Sequence, residues 1–239
     1  MMSKNQIKLI RSLNQKKFRQ KHGLFKAEGI KIIQELIKSG WAPEAIFTVT
    51  DIFAASETQL SIITEPELKK ISGLKNPQTA VALFAIPKDK PPDHTGFSIV
   101  LDGVRDPGNL GTIIRLCDWF GVSSLMCSKD TADVFNPKVV QSTMGSIARV
   151  LPHYEDLSKI LSQEKRPIFG ADMEGENVHK IKLPEEAILV LGNEAHGLSP
   201  ETNNFLTHRI AIPQFGQKHS TESLNVATAG AILMNEFRR

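Results

Sequence analysis

Apolar residues in the first part of the chain recur at helical spacing in two places and form three strand-like runs. The spacing around residues 7–18 predicts an amphipathic first helix, and residues 30–37 predict a second helix that ends at Gly40. Thr64 with Glu67 three residues later is the pattern of a capping box that opens a short helix. This order of elements predicts a small α/β unit. The three runs predict strands at residues 45–50, 59–63 and 81–86.

The later part of the chain alternates between apolar strands and helical stretches. Such alternation is typical of a mostly parallel sheet with helices on both faces. Ser199 before Pro200 indicates a helix start, because the Ser side chain caps free amides and Pro suits the first turn. The last helix is apolar or small nearly all round, so it must be buried, either within the protein or between two subunits. The predicted strands are 98–101, 124–127, 167–171, 187–191 and 209–212, and the predicted helices are 111–120, 138–147, 200–206 and 223–237.

Residues 87–96 separate these two parts. They contain three prolines, charges of both signs and no apolar periodicity. Stretches of this kind usually connect domains. We therefore expect a first domain at residues 1–86, a linker at 87–96 and a second domain at 97–239.

The composition fits a soluble globular protein of one or two domains, with 41% apolar and 23% charged residues in a chain of 239. No apolar run approaches the roughly 20 residues that cross a bilayer, and the first residues lack a signal-peptide core, so a cytoplasmic location is expected. Cys117 and Cys127 form no closely spaced metal pair, which favours reduced structural thiols. The seven histidines show no ligand spacing, and we expect no metal site.

The net charge of +3 is unevenly distributed. Residues 1–40 carry ten Lys or Arg and two Glu, a net charge of +8, so the rest of the chain carries −5. A basic segment suits a polyanion, because each neutralised phosphate releases counterions. A solvated helix face is the alternative interpretation. The cations expected to contact a substrate are Arg11, Lys16, Lys17 and Arg19.

Three short stretches carry the candidate chemistry, and the first two follow predicted strands, where α/β proteins commonly bind ligands. The first, at residues 106–115, reads Asp-Pro-Gly-Asn-Leu-Gly-Thr-Ile-Ile-Arg. Its Asn109 has the alternative role of a helix cap, and its Arg115 that of an ordinary surface residue. The second, Leu-Gly-Asn-Glu-Ala-His-Gly-Leu at 191–198, contains Glu194 and two glycines that permit close backbone approach.

The third stretch comprises Ile212-Pro213, Gly216 and Ser223-Leu-Asn-Val226. In order and nearly in spacing, the three stretches resemble the motifs of the SpoU (TrmH-type) class of SPOUT RNA methyltransferases. The segment 217–222 is longer than is usual in that family. Either the longer segment adds a substrate contact through a basic side chain, which we favour, or it alters cofactor affinity.

The resemblance implies a homodimeric enzyme with a SPOUT-type parallel sheet and a carboxyl-terminal trefoil knot, a rare exception among protein chains. It implies S-adenosylmethionine as the methyl donor and a ribose 2′-hydroxyl of structured RNA as the acceptor, with rRNA favoured over tRNA. Arg115 would polarise the hydroxyl and stabilise the developing alkoxide, since a guanidinium that is always charged is a poor base. The implied geometry-holding residues are Asn109, Glu194, Ser223 and Asn225, and the implied cofactor-binding residues are Gly192, Gly197, Ile212 and Leu224.

The amino-terminal part resembles the ribosomal-protein-L30-like substrate-binding domain that precedes the catalytic domain in many SpoU enzymes. This resemblance rests on residues 8–13, residues 19–29 and Asn76-Pro-Gln78. Thr79 stands where that family often has Gly. With this domain the resemblance covers nearly the whole chain, and it implies that the first domain grips the RNA and selects the target.

Two other functions are compatible with parts of the sequence. A protein with the same fold would bind RNA or assist ribosome assembly without turnover if the longer segment 217–222 disabled cofactor binding. A Rossmann-type oxidoreductase or nucleotide hydrolase would share the α/β alternation, but no Gly-x-Gly-x-x-Gly follows a predicted strand. The sequence identifies neither the RNA nor the modified nucleotide, because folded RNA is recognised largely through shape and backbone.

Overall fold

The chain forms two compact units in a computed structural model that describes residues 1–53, 56, 58–88, 91–215 and 223–239. The first unit comprises Met1–Lys88 and Asp133–Arg149, and the second comprises Asp89–Ala132 and Val150–Arg239. The segment Asp133–Arg149 therefore belongs to the first unit although it comes late in the sequence. The domain limits expected from the sequence differ from the units in this segment and in the expected linker, which the units divide after Lys88, and they stay a prediction.

The helices and strands within the described ranges are numbered in chain order. The α-helices are α1 (Lys4–Ser12), α2 (Lys16–His22), α3 (Ile30–Lys38), α4 (Glu65–Ile71), α5 (Pro107–Trp119), α6 (Pro137–Thr143), α7 (Leu157–Leu161), α8 (Pro200–Asn203) and α9 (Val226–Arg238). The strands are β1 (Leu24–Glu28), β2 (Pro43–Thr48), β3 (Leu60–Ile62), β4 (Ala80–Ala85), β5 (Phe97–Asp102), β6 (Ser124–Ser128), β7 (His153–Glu155), β8 (Ile168–Asn177), β9 (Ala187–Gly192) and β10 (His208–Ala211).

The first unit is built on a four-stranded mixed sheet in the order β1-β4-β2-β3. β4 is antiparallel to β1 and β2, and β3 is parallel to β2. This architecture confirms the predicted small α/β unit. One cluster of its buried apolar side chains consists of Ile10, Leu13, Phe47, Ile63, Leu68, Ile71, Val81 and Leu83.

Two features of the first unit differ from the sequence prediction. The single first helix is two helices, α1 and α2, and the five-residue interval between Leu13 and Phe18, which the helical period does not match, was a signal of this break. Strand β1 was not predicted, since Lys26 and Glu28 interrupt its apolar pattern. Both side chains are buried, and Lys26 Nζ lies 2.7 Å from Glu28 Oε1, so each charge is neutralised where it lies.

The second unit contains a six-stranded sheet in the order β10-β8-β9-β5-β6-β7, with every neighbouring pair parallel. The predicted parallel sheet is therefore confirmed. The short edge strand β7 and helix α7 were not predicted. Strand β8 also extends beyond the predicted 167–171, as far as Asn177. Because the strands are parallel, the carboxyl ends of β5, β6 and β9 lie at one edge of the sheet.

The predicted helix caps are confirmed. Thr64 Oγ1 accepts from the Glu67 amide at 3.4 Å, and the Glu67 carboxylate accepts from the Thr64 amide at 3.0 Å. Backbone hydrogen bonds from Thr64 and then Met2 lower the pKa of Glu67 to about 2. Ser199 Oγ accepts from the Thr202 amide at 3.2 Å and caps α8, which ends earlier than predicted.

Helix α9 is buried along part of its surface rather than on all sides. Its buried residues include Gly230, Leu233 and Phe237, whereas several small or apolar residues between them are half-buried. Gly230 permits close packing, since a Cβ there would lie 3.0 Å from the Leu191 Cδ1 atom of β9. The remaining apolar surface of α9 is available for a further contact.

Cys117 and Cys127 are free, buried thiols, and burial raises the pKa of both, which fits a structural role. The described part of the chain brings no group of three or more His, Cys, Asp or Glu side chains into a metal-binding arrangement. None of the described helices combines the length and apolar character that crossing a membrane requires.

Candidate active site

The first two motifs meet at the carboxyl edge of the parallel sheet in the second unit. Asp102 at the end of β5 is paired in register with Gly192 at the end of β9. The Asp102 carboxylate also accepts a hydrogen bond from the Ser199 amide at 2.7 Å, which ties the loop after β9 to the end of β5. The two motifs are thereby held side by side.

Helix α5 begins with a cap that frees Asn109 for another role. Asp106 Oδ1 accepts from the Asn109 amide at 2.8 Å, and Pro107 occupies the first turn. Asp106, not Asn109, is therefore the cap. The carboxamide of Asn109 remains available to join groups from other parts of the chain.

One chain of side-chain hydrogen bonds joins all three motifs. Asn225 Nδ2 donates to Asn109 Oδ1 at 2.9 Å, and Asn109 Nδ2 donates to Glu194 Oε1 at 3.0 Å. Asn225 Oδ1 caps α9 by accepting from the Ala227 and Thr228 amides. Since this oxygen faces the helix, the Asn225 amino group faces Asn109. The Asn109 carboxamide is therefore oriented with its oxygen toward Asn225 and its amino group toward Glu194. We call this arrangement the Asn225–Asn109–Glu194 chain.

The carboxylate of Glu194 is the acceptor end of the chain. It also accepts from the Asp106 amide at 3.2 Å and the Arg105 amide at 3.3 Å. Partial burial raises the pKa of Glu194, but the hydrogen bonds from Asn109 and the two amides outweigh it, so its pKa lies below the usual value. The carboxylate is ionised at neutral pH. This geometry favours a role in orienting Asn109 over proton transfer.

The loop after β9 depends on two glycines and on Asn193. Gly192 is closely packed, because a Cβ there would lie 2.4 Å from the carbonyl carbon of Gly197. Asn193 and Gly197 exchange two backbone hydrogen bonds of 2.9 Å each, and Gly197 has a φ of 67° that favours glycine. Asn193 Nδ2 donates to the Gly103 carbonyl at 2.6 Å. Our sequence interpretation missed Asn193, although its place directly after Gly192 in the motif was a usable signal.

Arg115 stands apart from this hydrogen-bonded chain. It is exposed on α5, six residues after Asn109, and its guanidinium has no hydrogen bond or ion pair with any residue that the structure describes. The nearby Arg105 differs, since its Nη2 lies 2.8 Å from Asp130 Oδ2. Arg115 is therefore free to bind an anion or a polar oxygen.

The residues expected at the cofactor offer an apolar surface and backbone amides. Ile212 is half-buried and Leu224 is 49% exposed. The amides of both donate to no acceptor within the described ranges. Apolar side chains beside free backbone donors fit an adenine ring and its polar edge. Ser223 is exposed, and Gly216 and residues 217–222 lie outside the described residues.

The four predicted substrate-binding cations do not share one environment. Arg11, Lys16 and Lys17 are exposed on α1 and α2. Arg19 is 2% exposed, donates to the Leu13 carbonyl at 2.8 Å and pairs with Asp133 at 2.5 Å. A guanidinium buried in an ion pair cannot reach a surface ligand, so the expectation for Arg19 is corrected to a structural role.

The sequence matches two known family models. Residues 96–235 match the SpoU rRNA Methylase family, and residues 4–82 match the MRM3-like substrate binding domain. The first match covers the sheet, the Asn225–Asn109–Glu194 chain and Arg115. The second covers the basic amino-terminal segment.

Individual proteins are similar along nearly their whole length. The Bacillus subtilis 23S rRNA (guanosine(2553)-2′-O)-methyltransferase RlmP is 31% identical, with 99% of this chain and 97% of that protein covered. A solved structure from Porphyromonas gingivalis, described as an RNA methyltransferase of the TrmH family, is 38% identical with a TM-score of 0.89, covering 100% of this chain and 98% of its own. The AdoMet-bound rRNA methyltransferase from Sinorhizobium meliloti is 29% identical with a TM-score of 0.86, covering 100% and 96%.

Proposed function

We propose, because this chain belongs to the SpoU rRNA methylase family, that it transfers a methyl group from S-adenosylmethionine to a ribose 2′-hydroxyl in rRNA. The observation that carries the proposal is the Asn225–Asn109–Glu194 chain, which joins the three family motifs at one edge of the sheet. The names of the relatives support rRNA as the substrate and the 2′-oxygen as the acceptor atom.

The side chains of the site have to activate a weak nucleophile. S-adenosylmethionine supplies the methyl group on a sulfonium centre, so the protein provides alignment and stabilises charge on the ribose oxygen. Arg115 suits the second task, since its guanidinium is always charged and unpaired among the described residues. In the transfer, the bond between the methyl carbon and the sulfonium sulfur would break as the ribose oxygen bonds to that carbon, the thioether would leave with the former sulfonium electrons, and the hydroxyl proton would pass to solvent water. Ser223 and Asn225 lie at the start of α9, where they hold the geometry of the site.

The proposed cofactor site lies where the loop after β9, the end of β10 and the start of α9 supply its walls. Gly192 and Gly197 approach each other closely in the first wall, and Ile212 and Leu224 offer apolar surface and backbone amides that donate to no acceptor among the described residues. We include the trefoil knot in the proposal. Its support is the match to the SpoU family, and the path from edge strand β10 to α9, which packs against β9 and α5, is compatible with it.

We infer that the exposed cations of α1 and α2 attract the RNA. Reversing the charge of Lys16 and Lys17 together (Lys16→Glu and Lys17→Glu) is expected to weaken rRNA binding roughly tenfold and to reduce its salt dependence, because two phosphate contacts are lost. Filter binding at several salt concentrations measures both effects. The matched control reverses Lys180 and Lys182, two exposed lysines of the second unit. Equal losses in both double variants would mean that total charge, not this surface, sets affinity.

We infer that the protein is a homodimer that pairs through α5. Thr112, Arg115 and Trp119 lie on one exposed face of this helix, and Trp119 is 81% exposed, which is unusual for so large an apolar side chain. Trp119→Lys is expected to raise the dimer Kd roughly 100-fold, as loss of an aromatic anchor does. Sedimentation velocity measures this change, with Met173→Lys as the control because Met173 is 67% exposed elsewhere in the unit. A wild-type monomer, or an unchanged variant dimer, would contradict the inference.

The activity is tested directly with purified protein, unmodified rRNA transcripts and S-adenosylmethionine labelled in its methyl group. The expected product is an alkali-resistant dinucleotide, because a 2′-O-methyl group blocks cleavage at that ribose. Calorimetry with S-adenosylmethionine accompanies the assay. RNA binding without cofactor binding or transfer would instead support a catalytically silent RNA-binding protein. As an enzyme acting on rRNA, the protein is proposed to work in the cytoplasm.

A further inference from the structure

The first unit contains a groove that lies outside the candidate active site and outside the α1–α2 surface. Two adjoining cavities of about 270 and about 40 Å³ share the lining residues Glu28 and Gln141. One wall is the turn from β1 into α3, a second is the loop before β4, and a third is α6 and the residue that ends it. We call it the Gln141 groove; its lining side chains include Lys31, Gln78, Lys138, Gln141 and Met144.

The charge of the Gln141 groove favours an anion. Lys31 and Lys138 are exposed at its two cavities. The carboxylate at the groove, that of Glu28, is neutralised by Lys26 at 2.7 Å and accepts hydrogen bonds from Ser72 Oγ at 2.6 Å and the Gly73 amide at 2.8 Å. A negatively charged ligand therefore meets two free cations and no uncompensated acid among the described lining residues.

The groove also offers neutral groups that match the edges and faces of a nucleobase. The side-chain carboxamides of Gln78 and Gln141 form no hydrogen bond within the described part of the chain, so each presents a donor and an acceptor to a ligand. Met144, 36% exposed, adds a polarizable apolar side chain on which a base can lie. Unpaired bases in RNA are recognised by this combination of edge contacts and packing against the ring face.

The walls of the groove are fixed by contacts within the first unit. Gly145 has a φ of 98°, and a Cβ there would lie 2.6 Å from the Glu35 Cβ, so α3 and the residues after α6 approach closely. The Lys26–Glu28 pair holds the start of the loop before β4 through Ser72 and Gly73. A preformed groove loses little conformational entropy when a ligand binds.

We propose that the Gln141 groove binds one unpaired nucleotide of the rRNA substrate, with its phosphate at Lys31 or Lys138 and its base at Gln78, Gln141 and Met144. This inference rests on the proposed function and deepens it, since it assigns a second RNA contact besides the α1–α2 surface. A volume of about 270 Å³ lies near the low end of small-ligand cavities, roughly 300 Å³ and above, which suits one nucleotide and excludes a duplex.

Two pairs of variants separate the charge contribution from base recognition. The double variant Lys31→Glu and Lys138→Glu is expected to weaken binding of every RNA roughly tenfold and to reduce the salt dependence. The double variant Gln78→Ala and Gln141→Ala is expected to weaken binding of rRNA transcripts roughly tenfold while binding of an unrelated RNA of equal length stays within about twofold, because carboxamides read base edges. Fluorescence anisotropy with both RNAs gives these values.

The outcomes distinguish this inference from the proposed function. Reversal of Lys180 and Lys182 is again the control, and melting curves and S-adenosylmethionine calorimetry establish that each variant keeps its fold and cofactor site. If the wild type methylates rRNA but the Gln78→Ala and Gln141→Ala variant keeps its RNA affinity and KM, the groove proposal is wrong and the function stands. If the wild type binds rRNA without methylating it, the function fails, and the affinity difference still decides the groove. A wild type that binds no rRNA overturns both.

Discussion

Replacing Arg115 with alanine is expected to lower kcat for methyl transfer roughly 100- to 1,000-fold, the loss typical when one donor to a developing oxyanion is removed. The Kd values for rRNA and S-adenosylmethionine should change less than about threefold, since the charge that Arg115 stabilises develops only in the transition state and the fold loses no hydrogen bond or ion pair among the described residues. Single-turnover kinetics with labelled S-adenosylmethionine, together with calorimetry, measure the two effects separately.

Two companion variants sharpen this test. Arg115→Lys keeps the charge but loses the planar fork, so an intermediate rate is expected if the guanidinium holds the ribose oxygen. Thr112→Ala changes an exposed neighbour on the same helix face and should retain activity. Full activity of Arg115→Ala would refute the role of Arg115, and a matching loss in Thr112→Ala would assign the effect to the helix surface.

Asn109→Asp is expected to reduce methyl transfer roughly 100-fold at pH 8, because it places a second carboxylate about 3 Å from Glu194 in place of a donor. Like charges at this distance raise the pKa of the two carboxyl groups. As the pH falls, the two groups therefore bind one shared proton, which restores a hydrogen bond between position 109 and Glu194. The pH–rate profile of the variant should therefore recover between about pH 7 and pH 5. The wild type should show no such recovery, since the pKa of its Glu194 is lowered.

Asn109→Asp is also expected to reverse the direction in which the stability of the folded protein changes with pH. In the wild type, the lowered pKa of Glu194 stabilises the folded protein above the usual carboxyl pKa, and this is lost as pH falls through the folded value. In Asn109→Asp the shared pKa of the two carboxyl groups is raised. The pair therefore stabilises the folded protein at low pH, and this stabilisation is lost as the pH rises. Melting temperatures across pH measure this reversal. The control is Asn136→Asp, in which the side-chain oxygen can still accept from the Lys138 amide and cap its helix. This variant should show neither the recovery of rate at low pH nor the reversed pH dependence of stability.

The sequence predicted which residues of the site belong together but not what each atom does. Asn109, Glu194 and Asn225 were all expected at the site, and they form one hydrogen-bonded chain. The cap of α5 is Asp106, so the carboxamide of Asn109 is free for that chain. The choice between two neighbouring capping residues depends on backbone angles that a sequence pattern does not determine.

Several other differences arise from residues whose partners are distant in sequence. The sequence pattern predicts that Arg19 is a surface cation. In the structure it forms a buried ion pair with Asp133, which lies more than a hundred residues later. Strand β1 likewise could not be predicted, because the burial of Lys26 and Glu28 depends on each other and on the loop before β4. The segment Asp133–Arg149 also joins the first unit through contacts distant in sequence, among them Phe25 with Phe135, whose ring centroids are 4.9 Å apart. Periodicity reports local burial, and these contacts are not local.

We infer that this protein methylates a ribose 2′-oxygen in rRNA and that Arg115 activates that oxygen. The decisive measurement is position-by-position mapping of 2′-O-methyl groups in total RNA from cells with the gene, without it, and with the Arg115→Ala form expressed at equal level. We expect an rRNA position that is methylated with the wild-type gene and unmethylated in the other two strains. Identical maps in all three strains would refute both the activity and the role of Arg115.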